Sequence, residues 1–462
     1  MKRLLAIALC SVCFNTLRLL AIALCSVCCD FIAAQTYTLQ QLKDSALHNN
    51  IAIRNARLDI EAAQQQRKEA FTKYFPDVSA TGLWFNANKG MAQTTVNPSE
   101  AMPPALATTL PQMLPPDMLA ALASPINISM MKNGTIASLM AMQPVFAGGQ
   151  IINGNKLAKV GEDVSQLQLQ LSENEVEKTV EQYFWQLATL QEKMKTIDAV
   201  DTLLADIHKD VDVAVRAGVA MRNDLLQVQL RQNEVESQRL KLQNAMSILQ
   251  LLIAQYCGLH NEQFQIESGG FRDVSSSLPI KQDHSLALLG TTEYQLLDKQ
   301  VEATRLQEKI TLGQNLPTVA VGAGYNYHNM LENDHTFAML FATVSIPISD
   351  WWGGSHAIKR KKIEHQKAID QQNDKAQQLQ IRMQNAWNNV VEARQQLDIA
   401  KRSIEQAEEN LRLNRNFYHA GTAKMSDLLE AQLLYQQSLD RHADAYAQYQ
   451  CMLLEYRQAT GQ

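Results

Sequence analysis

The stretch that decides the fold is "RAGVAMRNDLL", residues 216–226, because it returns as "HAGTAKMSDLL" at 419–429. Gly218 and Gly421 lie 203 residues apart, and so do Asp224 and Asp427, and Leu225 and Leu428. The same offset links Pro144 to Pro347 and Gly258 to Gly461. A chain that repeats its punctuation at one fixed interval is read as one unit built twice. Each glycine follows a long proline-free run and precedes another, which is the place of a helix C-terminal glycine cap.

Working outward, each copy has the order helix, strand, strand, long helix, helix. The first copy, 35–258, opens with a helix expected from Leu39 to Tyr74, stopped by Pro76. A strand-like segment follows, then a loop, then a second strand-like segment ending near Pro144. "FAGGQ" leads into a helix from Gln150 to Ala217, roughly 100 Å long at 1.5 Å per residue. After the Gly218 turn a helix runs from Asn223 to Tyr256. Residues 259–284 connect the copies. The second copy, 285–462, has a helix to Asn315, strands near 318–328 and 337–346, and "DWWGG". A helix from Ser355 to Tyr418, the Gly421 turn and a helix from Asp427 to Ala459 complete it. The copies differ chiefly in one loop: Pro76 to Pro144 spans 68 residues, and Pro317 to Pro347 spans 30. The excess is rich in Pro, Ala, Thr and Met and reads as a long exposed loop on a strand hairpin.

Composition narrows the class. With 12 prolines and 19 glycines in 462 residues the chain is not broadly disordered, and a net charge of −5 gives no reason to expect nucleic acid. Residues 1–34 read as a secretory signal: Lys2 and Arg3, an apolar core, then Ala33-Ala34 before the expected cleavage. "RLLAIALCSVC" occurs there twice, at 3–13 and 18–28, a duplication with no functional account. Arg18 and Asn15 interrupt the run, so it is not read as one transmembrane helix. Five of seven cysteines (Cys10, Cys13, Cys25, Cys28, Cys29) fall in it, and Val27 before Cys28 is a poor match to a lipid-anchor signal. Cys257 and Cys451 alone are no disulfide scaffold.

After each turn the apolar positions step 3-4-3-4. The first set is Leu225, Val228, Gln232, Val235, Arg239, Leu242, Met246, Leu249 and Ile253. Adding 203 gives Leu428, Ala431, Tyr435, Ser438, His442, Ala445, Tyr449, Met452 and Tyr456. Seven of nine in each are apolar or aromatic, a coiled-coil seam. Among the strands, "TVAVGAGYNYH" (318–328) alternates cleanly. Val319, Val321, Ala323, Tyr325 and Tyr327 form an apolar face, and small or polar residues lie behind it. Such a strand fits a membrane barrel or a half-buried soluble sheet. In lipid, four strands cannot leave their edges open, so several chains would have to pool them.

The double copy, the "LP" strand starts, "QPVFAGGQ" and "AGTAKMSDLLEAQLLY" together resemble the TolC family of outer-membrane efflux proteins, over nearly all of the chain after residue 34. The resemblance implies a mainly α fold with β: a homotrimer in which four transmembrane β-strands per chain form a shared twelve-stranded β-barrel in the outer membrane. A long α-helical coiled-coil barrel continues it across the periplasm. It implies that the turns at Gly218 and Gly421 lie at the periplasmic tip, facing a periplasmic adaptor (membrane fusion) protein and an inner-membrane transporter. It further implies that Asp427 and Glu430 line the pore constriction, where such carboxylate rings favour cations. Tyr418 and Asp224 take the places of a latch that holds the tip closed. The family's arginine latch is missing, because Ala423 stands there, with Lys424 beside it. Read without the resemblance, Asp224 and Asp427 are equally first-turn acids that suit a helix dipole.

No enzyme constellation stands out, and no cofactor is expected. "GQIINGNK" (149–156) has Asn155 where a phosphate loop needs lysine. The histidines show no zinc spacing, and there is no nucleophile elbow. "KRKKIEHQK" (359–367) reads as a solvated helix face. Trp351 and Trp352 suit a membrane edge or a packing plug. The alternative to a duct is a periplasmic coiled-coil adaptor or structural protein without a pore. It accounts for the signal and the seams, and leaves the four paired strands unexplained.

Overall fold

The computed structural model describes residues 35–98, 102, 115–261, 264–267, 271, 278–329 and 334–462. The signal segment with its five cysteines, and most of the loop over 99–114, lie outside the described residues. In chain order the elements are β1 (Gln35–Tyr37), α1 (Leu39–Asn49), α2 (Ile51–Thr72), β2 (Asp77–Asn86), β3 (Ala92–Val96) and α3 (Pro116–Ala123). Then come β4 (Ile126–Met130), β5 (Asn133–Ala147), α4 (Gln150–Arg216), α5 (Arg222–Cys257) and β6 (Phe264–Ile266). The rest are α6 (His284–Gly290), α7 (Thr292–Gln314), β7 (Thr318–His328), β8 (His335–Ser345), α8 (Asp350–His419) and α9 (Met425–Ala459). Two compact units form, each drawing on both halves of the sequence. Among the described residues one takes those within 35–59, 165–297 and 372–462, and the other those within 60–164 and 298–371.

The first unit is helical, apart from the parallel pair β1–β6. Its core is made by Leu42, Ile53, Leu187, Ile253, Met383 and Tyr449, all almost fully buried. Every seam position read from the sequence in α5 and α9 is buried or half-buried. The single opening helix expected from Leu39 to Tyr74 is instead two, broken at Asn50, whose backbone is extended (φ −63°, ψ 136°). The cause is local: the Asn50 carboxamide accepts from the Ala52 N–H at 2.8 Å and donates to the Tyr256 carbonyl at 3.1 Å, which competes with helical continuation. Thr291 breaks the helix before Asn315 in the same way, its hydroxyl donating to the Leu288 carbonyl at 2.8 Å.

The second unit carries a four-stranded antiparallel sheet in the order β2-β5-β7-β8. The expected end of a strand at Pro144 is corrected: β5 runs on to Ala147, with a register shift between Pro144 and Phe146 where proline offers no N–H to the ladder. The described part of the long loop holds the antiparallel pair β3–β4 and the short helix α3. The last long helix starts at Asp350 rather than Ser355, so Trp351 and Trp352 lie in its first turn, and the Trp351 indole donates to the Asn315 carbonyl at 3.1 Å.

Register places Val78, Ala80, Leu139, Ala141, Val321, Ala323, Tyr325, Leu340 and Val344 on one sheet face. That face is open: Trp84 is 71 % exposed and Leu340 87 %. On the other face Ser138 donates to Asn326 at 2.7 Å, and the rings of His328 and His335 lie 5.5 Å apart. The β7 glycines serve neighbouring strands there, since Gly322 lies under the Phe341 ring and Gly324 between Met339 and Met140. The helix ends beside the sheet are fixed by backbone contact, because a Cβ on Gly148, at φ +60°, would run into the Gly313 carbonyl. Gly148→Ala is therefore expected to cost about 2 kcal/mol or more. Gly82→Ala, with open space around it, should stay within about 0.5 kcal/mol. Thermal unfolding of the two variants in detergent, followed by circular dichroism, checks the contrast.

Candidate functional site

The two quoted stretches are two helix reversals, and the glycines are what make them possible. Gly218 and Gly421 adopt left-handed φ values of +76° and +71°. In the first turn, Val219 N–H donates to the Ala214 carbonyl at 2.9 Å and Gly218 N–H to Val215 at 3.0 Å. In the second, Thr422 N–H donates to Phe417 and Gly421 N–H to Tyr418, both at 2.9 Å. This is the Schellman pattern, which satisfies carbonyls that a helix end leaves orphaned. Gly258 and Gly461, at φ +67° and +75°, close α5 and its counterpart at the chain end with the same pair of bonds.

The acids sit on the far side of each turn. Asp224 Oδ2 accepts from the Met221 N–H at 3.2 Å. Asp427 Oδ2 accepts from the Lys424 N–H at 3.1 Å, and its Oδ1 from the Ser426 hydroxyl at 3.1 Å. Both carboxylates thus cap the free N–H groups of α5 and α9, with the dipole in their favour. Glu430 lies one turn further along α9, exposed like Asp427. Among the described residues no ion pair engages either of them.

Beneath the turns Ile207, Val211, Val228, Met425 and Leu428 form a small buried cluster, with Tyr418 packed against it. Between the turns is a cavity of about 750 Å³, lined among others by Asp210, Met221, Asp224, Tyr418, Lys424 and Ser426. The structure so brings Tyr418, Asp224, Gly421 and Lys424 together. Partial burial pushes the Tyr418 phenol above its ordinary pKa, and the negative charges of Asp224 and Asp210 push it further. Among the described residues no hydrogen bond joins the phenol to Asp224.

One residue the sequence reading passed over is Arg231 on α5. Its side chain is 7 % exposed. The guanidinium donates to Gln432 Oε1 at 3.0 Å and to Gln436 Oε1 at 2.7 Å on α9, and to Glu234 at 2.9 Å. Gln436 in turn donates to Gln238 at 2.9 Å. Arg231 stands one position off the apolar seam, and a reading of the seam alone has no place for it. Two glutamines four apart on the other copy's helix were the available signal.

Among the described residues no three His, Cys, Asp or Glu side chains are placed to hold a metal ion. Nor is any described helix long and apolar enough to cross a membrane, which leaves the sheet and its open apolar face to be explained. Residues 289–462 match the family model described as outer membrane efflux protein. That match covers 174 of the 462 residues and makes this part of the chain similar to outer membrane efflux proteins. Solved structures of outer membrane channels share its fold. The outer membrane protein VceC from Vibrio cholerae matches with a TM-score of 0.69 at 14 % identity, over 92 % of this chain and 96 % of that one. The Campylobacter jejuni CmeC channel matches at 0.70 and 13 %, covering 92 % and 85 %. The open state of the Neisseria gonorrhoeae MtrE channel matches at 0.67 and 14 %, covering 92 % and 88 %. Sequence comparison with curated proteins finds no match. The matched family is one of outer membrane efflux ducts. The reading without a pore finds no support.

The capping bonds give a direct expectation. Asp224→Ala and Asp427→Ala should each lower stability by about 1 kcal/mol, whereas Asp224→Asn and Asp427→Asn, which keep an accepting oxygen, should cost only a few tenths. Chemical denaturation of the four variants in detergent measures it.

Proposed function

We propose that this protein is the outer-membrane exit duct of a tripartite export system. It assembles as a homotrimer and is passive. A periplasmic adaptor and an inner-membrane transporter supply direction and energy. The observation that carries the reading is the four-stranded sheet with one exposed apolar face and two unpaired edges, β2 and β8. An even number of antiparallel strands lets β8 of one chain meet β2 of the next antiparallel as well, so a ring closes without an edge. Three chains give twelve strands, and the internal repeat, 35–258 and 285–462, gives two helical hairpins per chain for the periplasmic tunnel.

In this reading the Gly218 and Gly421 turns form the periplasmic tip and meet the adaptor. Asp427 and Glu430 line the constriction, and three copies stack two carboxylate rings that favour cations. Tyr418 and Asp224 act as a latch between the two hairpins, and separation of the hairpins opens the gate. Lys424 takes the neighbourhood in which the family's arginine is missing.

The test is extraction and conductance. The protein should leave outer membranes only in detergent, run as a trimer and conduct in planar bilayers; a lone water-soluble monomer overturns the reading. Asp427→Asn with Glu430→Gln should cut cation selectivity several-fold, since it removes charge while keeping the cap. Unchanged reversal potentials would take both residues off the constriction. Tyr418→Phe with Asp224→Asn should raise single-channel conductance, and an unaltered conductance would retire the latch.

A further inference from the structure

In the sheet-bearing unit, α2 and α4 enclose a cleft of about 600 Å³ that none of the above uses. Arg67 and Lys68 of α2 and Lys156 and Lys159 of α4 line it, with Phe71 and Tyr74 among the other walls. Glu162 is the one carboxylate in the lining, and it is held by Arg67 at 2.8 Å. Among the described residues Lys68, Lys156 and Lys159 have no carboxylate partner. Four cations against one acid leave a cleft with three uncompensated positive charges, which costs self-repulsion unless an anion enters. Asn155 does not serve as a free donor there, because its amide is engaged by the Ala70 and Ile151 carbonyls at 2.9 Å.

The sequence around the cleft is ordered like an amphiphile. Cations on α2 give way to Phe71, Tyr74 and Phe75, 55 %, 41 % and 56 % exposed, with Phe71 in edge contact with the other two rings. Beyond Pro76 comes β2, whose Val78 belongs to the open apolar sheet face. Charge, then aromatic ring, then aliphatic surface matches headgroup phosphate, interface and acyl chain. The second copy repeats the cations. Lys359 and Lys362, at +203 from Lys156 and Lys159, are exposed and unpaired among the described residues, whereas Arg360 and Lys361 spend their charge on Glu364.

We propose that the α2–α4 cleft binds the phosphodiester headgroup of an anionic phospholipid of the leaflet that meets the helical side of the sheet. The acyl chains run up over Phe71 and Phe75 onto the strands. The inference rests on the outer-membrane reading above. Arg67 offers its remaining N–H donors to the phosphate oxygens, and the three lysines supply point charge. An inorganic anion would satisfy the cations and leave the exposed rings unaccounted for, which is why a lipid is the occupant chosen.

The experiment uses the full protein in a neutral detergent and native mass spectrometry to count retained adducts. The probes are dihexanoyl-phosphatidylglycerol, dihexanoyl-phosphatidylcholine and inorganic phosphate. Wild type should retain the glycerol lipid at least tenfold better than the choline lipid. The R67Q/K68Q/K156Q/K159Q variant should lose that preference, and K68R/K156R/K159R should keep it. Equal retention of both lipids by wild type, or an undiminished preference in the glutamine variant, overturns the proposal. Displacement of the glycerol lipid by inorganic phosphate at equal concentration makes the cleft a free-anion site and overturns it too. Planar-bilayer conductance of the same preparations keeps the two readings apart. Pores without lipid preference sink only the cleft, and absence of pores in wild type sinks the duct and the cleft with it.

Discussion

A helix that has to turn back on itself ends in carbonyls with no partner, and the fold of this chain is organised around how that debt is met. At Gly218 and Gly421 a left-handed residue lets two N–H groups fold back onto the preceding turn. No residue with a Cβ adopts that backbone as easily. The reversal sets α5 on α4 and α9 on α8 antiparallel, and only then do the 3-4 seams face something to pack against. The small cluster of Ile207, Val211, Val228, Met425 and Leu428 exists because both reversals occur at the same level of the unit. The acids at 224 and 427 finish the job on the other side of each turn by closing the N-termini that follow.

Those reversals were legible in the sequence because glycine chemistry is local and the 203-residue offset repeated it. The same is true of β7, whose alternation needs no partner to be seen. What the sequence hid was decided by contacts distant along the chain. Asn50 breaks the first helix because the Tyr256 carbonyl, some two hundred residues on, is there to receive its amide. Pro144 was read as a terminator, yet β5 passes it, because the ladder to β7 resumes one residue later through a bulge. Trp351 was assigned to a connection and instead belongs to a helix whose first turn is pinned by Asn315. Local signals fixed where the chain could turn; tertiary hydrogen bonds decided where it did.

The candidate site shows the same division. Asp224, Asp427 and the two glycines could be named from the repeat, and Tyr418 from the family resemblance; of these Asp224, Tyr418 and Gly421 do meet around one cavity. Their spacing could not say that both acids already hold backbone N–H groups. Arg231 was invisible for the opposite reason: its partners Gln432 and Gln436 lie on a helix two hundred residues away, and none of the three carries a motif.

Those two contacts from Arg231 cross to neutral amides, while its carboxylate partner Glu234 sits on its own helix. The contacts are also buried, where dissolved ions screen little. Added salt therefore does little to loosen this joint between α5 and α9. When these helices part, a guanidinium dragged off its amides is stranded in a dry interior until water follows it in.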